Sequence, residues 1–94
     1  MFEAELYRLL GELELEVGRV GSGEAALTTA TAVARQQHAR LWELRAAVAL
    51  ARHRGEKGNT AAARDVLAPV YGWFSEGLDT DDLQRARLLL ERLH

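Results

Sequence analysis

Three histidines, His38, His53 and His94, and fourteen Asp and Glu residues are the side chains with which this chain could hold a metal or move protons. A metal site needs several such ligands converging, and on a helix its usual mark is a histidine pair one turn apart with a glutamate between. No HExxH or other ligand spacing occurs, and His94 is the last residue, so no metal is expected. Nucleophilic catalysis of the Ser–His–Asp or Cys–His kind needs a serine or cysteine beside a histidine base. Cysteine is absent, and Ser22 and Ser75, the only serines, stand where helix ends are expected. Capping is their simpler role. Gly21, Ser22 and Gly23 form a glycine-rich stretch without the lysine that a phosphate-cradling loop requires. The expectation is a non-enzymatic chain that binds no cofactor.

The stretch "VYGWFSEGLDT" gathers Tyr71, Trp73 and Phe74, half of the aromatic residues, just after the sole proline, Pro69. Aromatic residues usually supply burial first. Pro69, Tyr71, Trp73, Phe74 and Thr80 are therefore expected to anchor a terminal capping helix as a hydrophobic plug. The alternative is an effector or small-molecule sensor, with a pocket bounded by these aromatics and Trp42.

Whatever these residues do, the elements that position them read as helices. Alanine and leucine dominate, β-branched residues are scattered, and apolar positions recur every three or four residues. Five helices are expected, over about 2–17, 22–37, 40–53, 60–75 and 81–93, in a single domain. The first carries the stripe Phe2, Leu6, Leu9, Leu13 and Val17, and Gly18 stops it. Ser22 is expected to cap the second, with Leu27, Ala30 and Ala34 inward. Leu41, Leu44, Val48 and Ala51 mark the third, which "RGEKGN" closes. Asn59 or Thr60 caps the fourth, where Pro69 should bend the axis. Thr80 caps the fifth, with Asp81 and Asp82 favourable to its dipole.

No apolar stretch is long enough for a membrane span, and the acidic N-terminus does not read as an export signal, so a cytoplasmic location is expected. Charge is uneven. Residues 1–24 hold six glutamates against Arg8 and Arg19, net −4, whereas residues 35–64 hold seven basic residues against Glu43 and Glu56, net +5. The basic stretch, Arg40, Arg45, Arg52, Arg54, Lys57 and Arg64, lacks interleaved stacking aromatics, so nucleic acid is not an expected partner.

Sliding the chain against itself by forty residues aligns Leu10 with Leu50, Gly18 with Gly58, Gly23 with Ala63, Leu27 with Leu67 and Ala30 with Val70. Units of that length are a signature of helical solenoids. Tyr7, Leu10, Gly11, Gly18, Gly23, Leu27 and Ala30 fit the tetratricopeptide pattern, although Glu14 and Arg35 replace its second aromatic and closing proline. The fold expected is two antiparallel, tetratricopeptide-like helix pairs plus a capping helix, a right-handed α-solenoid fragment.

More narrowly, "APVYGWFSEGLDTDDL" and "EAELYRLLGELELEVGR" resemble the extreme C-terminus of large bacterial signalling proteins. Those join a class III adenylate or guanylate cyclase domain, or a transcription-factor domain, to a signal-transduction ATPase and a tetratricopeptide-like tail. Asp81 departs from the family where a proline often opens the last helix, as does Gly55 where helix formers are usual. The resemblance implies a detached terminal segment without catalytic or nucleotide-binding domains, serving protein–protein or interdomain contact.

If the first helix lines a concave side, Glu5, Arg8, Glu12 and Glu16 point into a groove, and Arg45 and Arg52 of the third helix join them. Such a surface could clamp a peptide or partner helix of mixed charge. Two units and a cap make a short stack. Phe2, Leu6, Leu9 and Leu13, or a second flank near Leu15, are expected to be left exposed, giving homo-oligomers, simplest as a homodimer.

Overall fold

Residues 2–73 and 81–93 are described in the computed structural model. Among them the protein is all-α: α1 (Phe2–Glu16), α2 (Val20–Gln36), α3 (Arg40–Glu56), α4 (Thr60–Gly72) and α5 (Asp81–Arg92). Phe74 and Thr80 lie outside the described residues.

The first three helices end in the same way. Gly18, His38 and Gly58 adopt positive φ values of 88°, 56° and 83°. At each, two backbone bonds close the helix, as Gly18 N–H to Leu15 and Arg19 N–H to Glu14 do for α1. His38 and Ala39 repeat this on Arg35 and Ala34, and Gly58 and Asn59 on Gly55 and Arg54. This is the Schellman motif, which satisfies the orphan carbonyls of a helix end and reverses the chain. Its spacing is twenty residues, half the repeat visible by residue type, because His38 occupies the middle turn.

These turns set the helix starts. The residue after each left-handed one (Arg19, Ala39 or Asn59) becomes the next N-cap. Asn59 accepts from Ala62 N–H, as expected of a cap. Arg19 makes no side-chain cap, and Ser22, expected to cap α2, lies inside it. Further along α2, Thr29 and Thr31 satisfy their hydroxyls on the carbonyls of Ala25 and Leu27, so the threonine-rich stretch stays helical. The third helix outruns its expected end because Gly55 is helical. A Cβ there would come within 2.9 Å of Leu93, so the glycine makes room for the end of α5. Helix α4 continues through Pro69 to Gly72.

Consecutive helices pack on one another, and α1 with α3 and α3 with α5 also touch. Leu27, Leu44 and Leu67 are the largest fully buried side chains. Leu44, Leu67, Val70 and Leu83 knit α3, α4 and α5, while Leu27, Ala49 and Leu50 join α2 to α3. At the α1–α2 crossing two glycines face each other. A Cβ on Gly11 would lie 2.7 Å from Leu27 Cγ, and one on Gly23 2.7 Å from Leu15 Cγ, each also 3.0 Å from the other glycine's carbonyl oxygen.

Leu6, Leu9, Leu13 and Val17 of the α1 stripe do not build this core. Leu6, Leu9, Leu13 and Val17 are 51–63% exposed, and Leu10 is 46% exposed. The face of α1 that packs is built on the small residues Ala4 and Gly11, which allow so close a crossing, with Leu15 lying over Gly23. The exposure expected of Leu6, Leu9 and Leu13 is thus observed.

Three substitutions, followed by urea unfolding, test these assignments. Gly11→Ala is expected to lose about 1–3 kcal/mol through overpacking. Gly21→Ala, in α2 with open space around it, should gain about 0.5–1 kcal/mol from helix propensity alone. His38→Gly should be stabilising by about 0.5–1 kcal/mol, because it removes the left-handed penalty. A destabilising result at 38 would contradict the turn.

Candidate functional site

The odd-numbered helices share a register. A step of forty residues carries Glu5 to Arg45 and Arg45 to Arg85, and Glu12 to Arg52. Because α1, α3 and α5 lie on one side of the stack, these positions meet along one groove. Arg8, Glu12, Arg45, Arg52, Asp82 and Arg85 line it, over a floor that includes Val48 and Ala49.

Its charges are cross-linked. Arg8 donates through Nε and Nη2 to the two oxygens of Glu5, both at 2.7 Å, and through Nη1 to Glu12. Arg52 Nη2 donates to the other Glu12 oxygen at 3.1 Å, tying α3 to α1. Arg45 reaches Asp82 at 3.3 Å, tying α3 to α5, and its guanidinium lies 5.0 Å from the Trp42 ring. Four guanidiniums thus face Glu5, Glu12 and Asp82, a net charge of 4 − 3 = +1. Arg85 has no ion-pair partner among the described residues, and Arg52 keeps 56% of its side chain in solvent.

Of the residues expected in the groove, Arg8, Glu12, Arg45 and Arg52 line it, and Glu5 is held to it by Arg8. Glu16 sits in an adjoining depression with Glu12, Leu15, Arg52 and His53. Asp82 and Arg85 were missed. The signal for Arg85 was present, since extending the forty-residue step once more reaches it from Arg45.

The aromatic stretch behaves differently from the expected plug. Tyr71 packs against the α3–α4–α5 core. Trp73 is 56% exposed, with its ring centroid 3.1 Å from the Arg40 guanidinium carbon. It follows the last residue of α4, and a cation stacks on its ring. Pro69 is exposed. Trp42 borders a shallow depression with Gln37, His38, Ala39, Arg40 and Leu41, which neither Tyr71 nor Trp73 shares.

Arg40 also approaches Glu43, at 3.8 Å, while Arg35 Nε donates to Glu43 at 3.0 Å. Glu43 is 2% exposed, so these arginines answer the main polar demand inside α3. His53 Nε2 is buried 3.1 Å from Glu24 Oε2, although no hydrogen bond forms between them. Arg54 reaches the same carboxylate at 3.7 Å. Four of the six basic residues considered for nucleic acid (Arg40, Arg45, Arg52 and Arg54) are thus engaged within the protein. Among the described residues, no three His, Asp or Glu side chains converge to hold a metal ion, and no helix is long and apolar enough to cross a membrane.

No protein-family model matches this chain, and comparison with curated proteins and with solved structures found no similar protein.

The Arg8 hydrogen bonds hold the Glu5 carboxyl below its ordinary range, and Glu5 raises Arg8 in turn. A depressed folded value means that the stabilisation is complete above the unfolded carboxyl value, about pH 4.3, and is lost as pH falls through the folded one. The stability difference between the wild type and Glu5→Gln is therefore expected to be constant above about pH 5.5, within roughly 1 kcal/mol, and to shrink below about pH 4. A difference that grows on acidification would contradict the pairing.

Proposed function

We propose that this chain is a non-catalytic protein–protein or interdomain interaction module, and that the α1–α3–α5 groove receives an acidic segment of a partner. The observation that carries this reading is Arg85, without an ion-pair partner among the described residues, beside the half-exposed Arg52 in a groove of net positive charge. The other arginines are anchored by Glu5, Glu12 and Asp82, which gives the groove a fixed charge pattern before any partner arrives. Preorganised charge favours specificity and fast encounter over raw affinity. The stacked helix pairs and the resemblance at "APVYGWFSEGLDTDDL" support a place at the end of a larger bacterial signalling protein, associated with a cyclase or transcription-factor ATPase. A cytoplasmic setting accords with that reading. The sensor alternative gains no support from Trp73, whose exposed ring is occupied by Arg40. Self-association, the other contact expected of this chain, uses a different face.

The test is a titration of the chain with a synthetic Glu-rich helical peptide, its Gln-substituted counterpart and a DNA duplex. The acidic peptide is expected to bind at about 10–100 µM in low salt, and Arg85→Glu to weaken it roughly tenfold with no change in helicity. Equal binding of the acidic and neutral peptides would refute the charge reading. Tighter binding of DNA would favour a nucleic-acid module instead.

A further inference from the structure

The repeat register shows what is unusual about α1. Forty residues on from Leu6, Leu9 and Leu10 stand Ala46, Ala49 and Leu50, all buried where α3 packs on the preceding helix pair. Another forty bring Ala86 and Leu89, also buried, where α5 packs on α3 and α4. In α1 the same face is open. Leu6, Leu10, Leu13 and Val17 fall within a sector of roughly 60° at 100° per residue, with Leu9 beside them. Five half-exposed aliphatic side chains in one strip reach the few-hundred-Å² scale that marks an interface.

Two features say what covers it. The position equivalent to Leu6 is a fully buried alanine in both α3 and α5, Ala46 and Ala86. A helix pair nested as closely as the other two would collide with the Leu6 side chain. The face instead has the 4-3-4 spacing 6, 10, 13, 17, a two-heptad seam suited to another helix of the same kind. Charge then selects the direction. Parallel pairing would set Glu16 against Glu16 and Glu3 against Glu3. Antiparallel pairing sets Leu6 opposite Val17 and Leu10 opposite Leu13, and carries Arg19 of each copy toward Glu3 of the other. Arg19 is 72% exposed and holds Glu14 only loosely, at 3.8 Å, so it is free to reach across.

We infer that the open face of α1 is a homodimer interface, on which a second copy of this chain docks its own α1 antiparallel about a two-fold axis. The interface leaves the groove untouched, so dimerisation and groove binding are independent. A patch of this size is at the low end for a specific interface and implies dissociation at about tens of micromolar.

Sedimentation equilibrium of the full chain from about 1 to 500 µM should show a shift from the 10.4 kDa monomer to a closed dimer. The double variant Leu10→Glu, Leu13→Glu, at exposed positions, should keep its helical circular dichroism and remain monomeric throughout. Arg19→Glu should weaken the dimer several-fold, and adding Glu3→Arg should restore it. Because the chain has no cysteine, a mixture of Leu10→Cys and Leu13→Cys chains should oxidise mainly to the 10–13 heterodimer. A wild-type chain that stays monomeric to the highest concentration overturns the proposal. So does assembly growing past the dimer, a dimer unchanged in the double variant, or preferred 10–10 and 13–13 crosslinks.

Discussion

A residue in the left-handed region closes α1, α2 and α3 at positions 18, 38 and 58, and the arrangement of the helices follows from that. Each turn satisfies the carbonyls at the end of one helix and delivers the next N-cap at once, so the chain reverses within three residues. The first three connections are therefore alike, and alternate helices fall on opposite sides of the stack. Glycine takes this conformation at little cost, and two of the three positions use it. His38 takes it against its own preference, held by the packing of α2 against α3.

Placing the odd helices together explains how scattered charges become a site. No single helix carries the groove. Arg8 organises Glu5 and Glu12 along α1, Arg52 reaches back to Glu12 from α3, and Arg45 reaches forward to Asp82 in α5. Each interhelical pair is partly exposed and is worth little alone. Their joint effect is to hold guanidiniums in fixed positions above the small side chains Val48 and Ala49. On the other side of α1, close packing against α2 depends on Gly11 and Gly23, which leaves the leucines pointing away from the core.

Much of this was legible in the residues. Helical class, number and order follow from spacing and composition, and the forty-residue step put Leu27 and Leu67 in equivalent, fully buried places. Four of the groove-lining residues were reached by assuming that the first helix faces a concave side. The failures have common causes. The exposure of Leu6, Leu9 and Leu13 was expected, whereas the part that Ala4 plays in the inner face was not, because small residues give a weak pattern. The middle turn was hidden because histidine does not announce a left-handed conformation. Ser22 looked like a cap because the turn type that fixes the start at Val20 was not visible. Trp73 looked like core because residue type says nothing of a nearby guanidinium, and Arg40 is thirty-three positions away in sequence.

The turn at position 38 is where this account is most exposed, since it rests on a residue that disfavours the geometry. Backbone NMR of the full chain addresses it directly, through the amide–Hα coupling and Cα shift of His38 together with hydrogen exchange at Ala39. The account predicts a positive φ at His38 and a protected Ala39 amide, bonded to the Ala34 carbonyl as Arg19 is to Glu14. A negative φ at His38, with a freely exchanging Ala39 amide, would mean that α2 and α3 are not reversed by this motif. The shared groove would then lose its geometric basis.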